Sequence, residues 1–173
     1  MPRAARAVSE IHTVLTALSE APTEIARITL GCSVRELHRK PEAEAWSARE
    51  IVAHLRACAE VWGRSIERML TEDHPTIRYV SPRGWIKRTN YLQQGFRESL
   101  GDFSQRRIEL IKALSALDPV DWSRRATFTA TTLGREGTVL SYARRIADHE
   151  TQHLGQLHRT VKKQPAQAME PRR

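Results

Sequence analysis

Trp46-Ser47-Ala48-Arg49-Glu50-Ile51-Val52-Ala53-His54-Leu55 is the stretch on which the reading of this chain turns. Ser47 and Glu50 have the S-x-x-E spacing of a capping box, in which the serine hydroxyl accepts from the Glu50 backbone N–H and the carboxylate accepts from the Ser47 N–H. Trp46 and Ile51 stand where a hydrophobic staple closes the same helix start. From there Ile51, Leu55, Cys58, Trp62, Ile66 and Met69 recur at steps of four and three, an apolar helical stripe running to about Leu70 before His74-Pro75 ends it.

The same period extends outward on both sides. Upstream, Ile11, Val14, Leu15 and Leu18 begin a helix that resumes through Ile25, Ile28 and Leu30, with a bend predicted at Pro22 and a stop at Gly31. Ser33 to His38 adds a short turn before Pro41. Downstream, Trp85 and Ile86 fall in a short segment, and Phe96, Leu100, Phe103, Leu110, Ile111, Leu114 and Leu117 mark a third long helix ending at Asp118-Pro119. Thr127, Thr129, Thr131, Thr132, Gly134 and Gly137 then disfavour helix and predict a long extended crossover loop of the kind that carries function. Thr138 caps a last helix with Val139, Ala143, Ile146, His149, His153, Leu157 and Val161 on one face. Four long helices with few strand signals predict an all-α bundle as a single domain over residues 1–163, followed by a disordered basic tail over 164–173.

Composition bounds the function. The chain has 173 residues, 40% hydrophobic and 28% charged, with eight Gly and eight Pro, which excludes fibrous and wholly disordered classes. No apolar run approaches a membrane span, and the first 30 residues carry Arg3, Arg6, Glu10, Glu20, Glu24 and Arg27 without a signal-peptide core; a cytoplasmic location with no membrane partner is expected. Cys32 and Cys58 read as free thiols. The net charge of +8 sits at the ends, since residues 8–158 carry 21 cations against 19 anions; this solubilised pattern argues against specific nucleic-acid binding.

The last helix departs from a bland bundle, because its core-facing stripe includes His149 and His153. Burying an imidazole without partners costs about 1–3 kcal/mol per polar group. At i and i+4 the two rings stand one turn apart on the same face and can converge on one cation. His149-Glu150-Thr151-Gln152-His153 also spells H-E-x-x-H, the zinc-protease motif, but the elongated form needs Gly and His where this chain has Gln156 and Arg159, and Glu170 is the one downstream carboxylate, in the tail. His12, His38, His74 and His158 lie near helix ends, loops or the tail, whereas His54, one turn into the capped helix, can look inward as a third ligand. Hydrogen-bonded core histidines are the alternative reading of all three. Glu150, rotated about 100° from His149, either orients a ligand or a bound water or faces solvent, with solvent preferred; Asp148 and Gln152 read as surface and Cys58 as core.

The run Trp46 to Leu55, followed by Asp148-His149-Glu150-Thr151-Gln152-His153-Leu154-Gly155-Gln156-Leu157, resembles the DinB-type metal-binding four-helix-bundle superfamily, which includes YfiT-like hydrolases and bacillithiol- and mycothiol-dependent transferases. The likeness covers about residues 8–160 and implies an up-down-down-up bundle with a long crossover. It further implies a divalent metal, zinc or nickel before iron or manganese, on His54, His149 and His153, with Glu150 as a catalytic candidate. A metal-dependent transfer of a low-molecular-weight thiol to an electrophile is the implied activity, with metal-dependent hydrolysis as alternative and a non-catalytic metal-binding or stress-response bundle as a third reading. A small-molecule substrate and a homodimer are the implied partners. Arg56, Arg64, Arg88 and Arg124 are candidates to hold an anionic thiol, or plain surface; Trp85 and Trp122 border the loops expected to roof the cavity.

Overall fold

In the computed structural model, which describes residues 3–130 and 136–162, the capping box at Ser47 starts the central helix α3 (Ala48–Thr71). Ser47 Oγ accepts from the Glu50 N–H at 3.2 Å and Glu50 Oε2 accepts from the Ser47 N–H at 2.8 Å. Every residue from Ile51 to Trp62 is buried, so that stretch of α3 has no solvent face. That follows from its neighbours: α5 (Phe96–Ser115) and α6 (Val139–Lys162) flank it, and the short helices α2 (Val34–His38) and α4 (Pro82–Ile86) cover its remaining sides.

The first helix α1 (Arg3–Ile28) packs on α5 and α6 and lies across the diagonal from α3. Successive long helices α1 and α3 are therefore not neighbours, and neither are α5 and α6, which separates this bundle from a simple up-and-down meander. The predicted bend at Pro22 does not interrupt α1. Leu18, Ala21 and Ile25, all buried, hold the helix through the missing N–H. Gly31 closes the segment at φ +78°, and Ser33 and Glu36 form a second capping box at the start of α2.

The crossover is not the plain loop expected. Arg125–Thr129 is a strand, β2, pairing in parallel with β1 (Thr76–Arg78) and antiparallel with β3 (Glu136–Thr138). Its sequence alternates, sending Ala126 and Phe128 inward between exposed Arg125 and Thr129. The partner strand β1 is some 50 residues away, with Ile77 opposite Phe128, so the pairing leaves no local signature. Thr131, Thr132 and Gly134 lie outside the described residues, as does the stretch 163–173. The sheet seals one end of the bundle: Phe128 stacks on Tyr142 of α6 with centroids 4.5 Å apart, and Gly137 runs so close that a Cβ there would lie 2.8 Å from the Tyr142 ring. Thr138 caps α6 as its sequence predicts, its Oγ1 accepting from the Ser141 N–H at 3.1 Å.

Candidate metal centre

His54 reaches inward from the second turn of α3, and His149 and His153 reach toward it from α6. All three present Nε2: His54 Nε2 lies 3.3 Å from His149 Nε2, which lies 3.2 Å from His153 Nε2. One ligand atom from each of the three falls within 4.8 Å of the other two. Two nitrogens bound at about 2.0–2.1 Å with a tetrahedral angle between them are separated by roughly 3.3–3.4 Å, so the observed spacing is the edge of a tetrahedral site. Trp46 walls one side, stacked on His153 at 6.0 Å and edge-on to His54 at 5.0 Å; Trp62 meets His149 edge-on at 4.9 Å. Above the rings opens a pocket of about 500 Å³.

The protonation states suit ligation. Burial, with the neighbouring imidazoles adding to it, lowers His54 to about 3 and His149 to about 4, and burial lowers His153 as well. At neutral pH the three rings are uncharged and offer lone pairs. With His149 Nε2 3.2–3.3 Å from both other Nε2 atoms, the three cannot all carry protons, and a cation resolves that crowding. The donor set thus fits a divalent ion, with one face left open to the pocket.

Because the folded-state pKa values lie below the ordinary 6.5, protons begin to compete with metal only as pH falls toward the 3–4 range of His54 and His149. Zinc affinity measured by competition titration is expected to stay flat down through pH 6.5 and to collapse well below it; half-loss at the pH of an exposed histidine would contradict this. The metal-free protein carries the matching stability term, present above 6.5 and lost as pH falls through the folded values.

Gln156 completes the arrangement from one turn further along α6, its Oε1 2.8 Å from His153 Nδ1. An Nδ1–H donating to that oxygen fixes the tautomer with Nε2 free, and it is the sort of outer contact whose loss typically costs about 10–100-fold in metal affinity. Gln156→Ala is expected to weaken zinc or nickel by roughly tenfold without unfolding the protein, read by competition titration alongside circular dichroism.

Other residues singled out in the sequence fall elsewhere. Glu150 does not face solvent; it is 1% exposed, turned into the bundle, and pairs with Arg107 of α5. Burial raises its carboxyl to about 7 against the opposing charge of Arg107. So directed, it is not placed as a base at the pocket, and the protease reading of H-E-x-x-H loses its general base as well. Cys58 is a core residue, as expected, with Sγ 3.4 Å from His54 Nε2; burial pushes its thiol well above the ordinary range, so it is no thiolate. Asp148 and Gln152 are exposed at the pocket rim.

Trp46 and Trp62, rather than Trp85 and Trp122, adjoin the site. Trp85 Nε1 donates to Glu60 at 3.0 Å away from the pocket, and Trp122 is buried in the core. Arg56 is engaged with Asp102, Arg64 with Glu60, and Arg124 with the carbonyls of Met69 and Glu72; none of these, nor Arg88, lines the pocket. Arg83, Arg144 and Arg145 line it instead, with Tyr79. Tyr79 and Arg83 come from the aperiodic stretch between α3 and α5, which offered no pattern to read. Gln156 did have a signal, its i+3 spacing from His153.

Comparison with known proteins agrees with the fold. YfiT from Bacillus subtilis, described as a probable metal-dependent hydrolase with an unusual four-helix bundle topology, superposes with a TM-score of 0.77 at 16% identity, over 88% of this chain and 86% of that one. At that identity the likeness establishes the fold. A search of curated proteins finds no match. The family model of the DinB superfamily matches residues 17–157, which takes in α3 with His54 and α6 with His149 and His153; the chain belongs to the DinB superfamily.

Proposed function

We propose that this protein is a metal-dependent enzyme acting on a small molecule, with one divalent ion, zinc or nickel, on His54, His149 and His153. The observation that carries the reading is the convergence of three neutral imidazoles, with His149 Nε2 3.3 Å from that of His54 and 3.2 Å from that of His153, beneath an open pocket of about 500 Å³, a volume in the range of small-molecule sites. A bound divalent ion supplies Lewis acidity there, lowering the pKa of a coordinated thiol or water. The protein's own residues do the rest. The imidazoles offer the nitrogen donors, Gln156 fixes one tautomer, and Trp46 and Trp62 exclude water from the flanks.

Transfer of a low-molecular-weight thiol to an electrophile is the preferred chemistry, since the pocket is roomy enough for a small thiol beside its acceptor. Hydrolysis of an ester or amide is the second reading, favoured by the fold shared with YfiT, itself described as a probable metal-dependent hydrolase. Zinc- or nickel-loaded protein incubated with bacterial thiols and chlorinated or epoxide electrophiles, and in parallel with an ester and amide panel, separates them. Conjugate formation that depends on metal supports transfer, and thiol-independent product supports hydrolysis. Stoichiometric metal uptake with no product across both panels would leave a non-catalytic metal-binding bundle.

A further inference from the structure

We propose that Arg83 and Arg145 form an anion-binding subsite over the histidine triad, and that the small substrate therefore carries a carboxylate or phosphoryl group. This rests on the reading of the pocket as a substrate site. Both side chains line the same pocket as His54, His149 and His153. Arg83 enters from α4, its guanidinium carbon 5.4 Å from the Trp46 ring centroid. Arg145 comes from α6 one turn before His149, 4.9 Å from the centroid of Trp62 and 5.8 Å from that of Tyr79.

What sets these two apart is the nature of their partners. Among the described residues neither forms an ion pair, whereas the adjacent Arg144 is paired with Glu10. Aromatic rings occupy the faces of both guanidiniums and leave the in-plane N–H fork, the part that grips an oxyanion, without a carboxylate. The pocket's charge points the same way. With Arg144 offset by Glu10, Arg83 and Arg145 stand against Asp148 alone, and a divalent ion would add two further positive charges. The charge of Arg83 already reaches all three imidazoles. A metal-loaded pocket of this composition carries an excess of positive charge, which an anionic substrate would offset.

The test is calorimetric titration of the zinc-loaded protein, and separately of the metal-free protein, with inorganic phosphate and with succinate. Wild type and the variants Arg83→Gln, Arg145→Gln and the double variant are compared, with zinc content measured on each. Saturable anion binding is expected in wild type, weakened about tenfold or more by each single change and abolished in the double variant, while zinc stoichiometry holds at one. Preference for phosphate or for succinate identifies which oxyanion the site takes. Should Arg145→Gln disturb folding by circular dichroism, Arg145→Lys, which keeps the charge and loses the planar fork, is used and is expected to weaken binding by a smaller factor. Anion affinity unchanged in the double variant, or no saturable binding by wild type in either metal state, overturns the proposal. Failure to take up zinc would instead refute the metal-enzyme reading, leaving the titrations of metal-free protein to decide the subsite.

Discussion

Replacing His54 by alanine is expected to abolish stoichiometric binding of zinc or nickel, and His149→Ala or His153→Ala should do the same. Among the described residues His54, His149 and His153 form a group whose ligand atoms lie within 4.8 Å of one another, so losing one ring leaves two nitrogen donors. Losing an outer contact costs about 10–100-fold in affinity, and losing one of three direct ligands is expected to exceed that range. The loss should also appear in stability. Ligand at about 1,000 times its Kd raises folding stability by roughly 4 kcal/mol, so added zinc should lift the melting temperature of wild type and leave His54→Ala unmoved. His158→Ala, an exposed change on the same helix as His149, serves as the control and should keep full stoichiometry. Undiminished metal content in His54→Ala, by elemental analysis after exhaustive dialysis, would show that the ring from α3 is not a ligand and would leave the metal-enzyme reading without its centre.

How much of this could be read beforehand depends on whether the information was local. The start of α3 was legible residue by residue because a capping box is a contact between Ser47 and Glu50, three positions apart. The His149/His153 pair was legible because one helical turn places both rings together, and the resemblance of the stretch around Trp46 to a known family brought in His54. The sheet was not legible, since β1 and β2 are each short and their pairing joins residues some 50 apart. Nor were the arginines that line the pocket. Arg83 reaches the triad only because the segment after β1 folds back over it, and in the sequence it looks no different from Arg88, which stays away. Glu150 was misread for a related reason. An angle of about 100° from His149 fixes its direction around α6, but whether that direction is solvent or protein depends on Arg107, which approaches from a helix 43 residues earlier.

That pair gives the largest stability prediction in the fold. Arg107 and Glu150 are each 1% exposed, and they join α5 to α6, helices that lie across the bundle diagonal from one another. Removing one partner of such a pair leaves a buried charge uncompensated, so Arg107→Ala is expected to cost about 3–5 kcal/mol in urea or guanidinium unfolding. The cost should depend on pH. Burial already raises the Glu150 carboxyl to about 7, and without the arginine it rises further. A carboxyl whose folded pKa lies above its unfolded one stabilises the fold while protonated and loses that contribution as pH rises through the folded value, so Arg107→Ala should be least damaging near pH 5 and most damaging above pH 7. Glu150→Gln in the Arg107→Ala background removes the titrating group and should flatten that dependence. The double replacement Arg107→Met with Glu150→Leu, which removes both charges together, is expected to recover most or all of wild-type stability. A flat pH profile for Arg107→Ala, or a loss below about 1 kcal/mol, would mean that water reaches the carboxylate. Because Glu150 follows His149 directly, zinc stoichiometry in the Met/Leu variant adds a second reading: metal retained at full affinity would assign the pair to holding α6 in place, and metal weakened in a well-folded protein would show that the charge behind His149 also tunes the ligand.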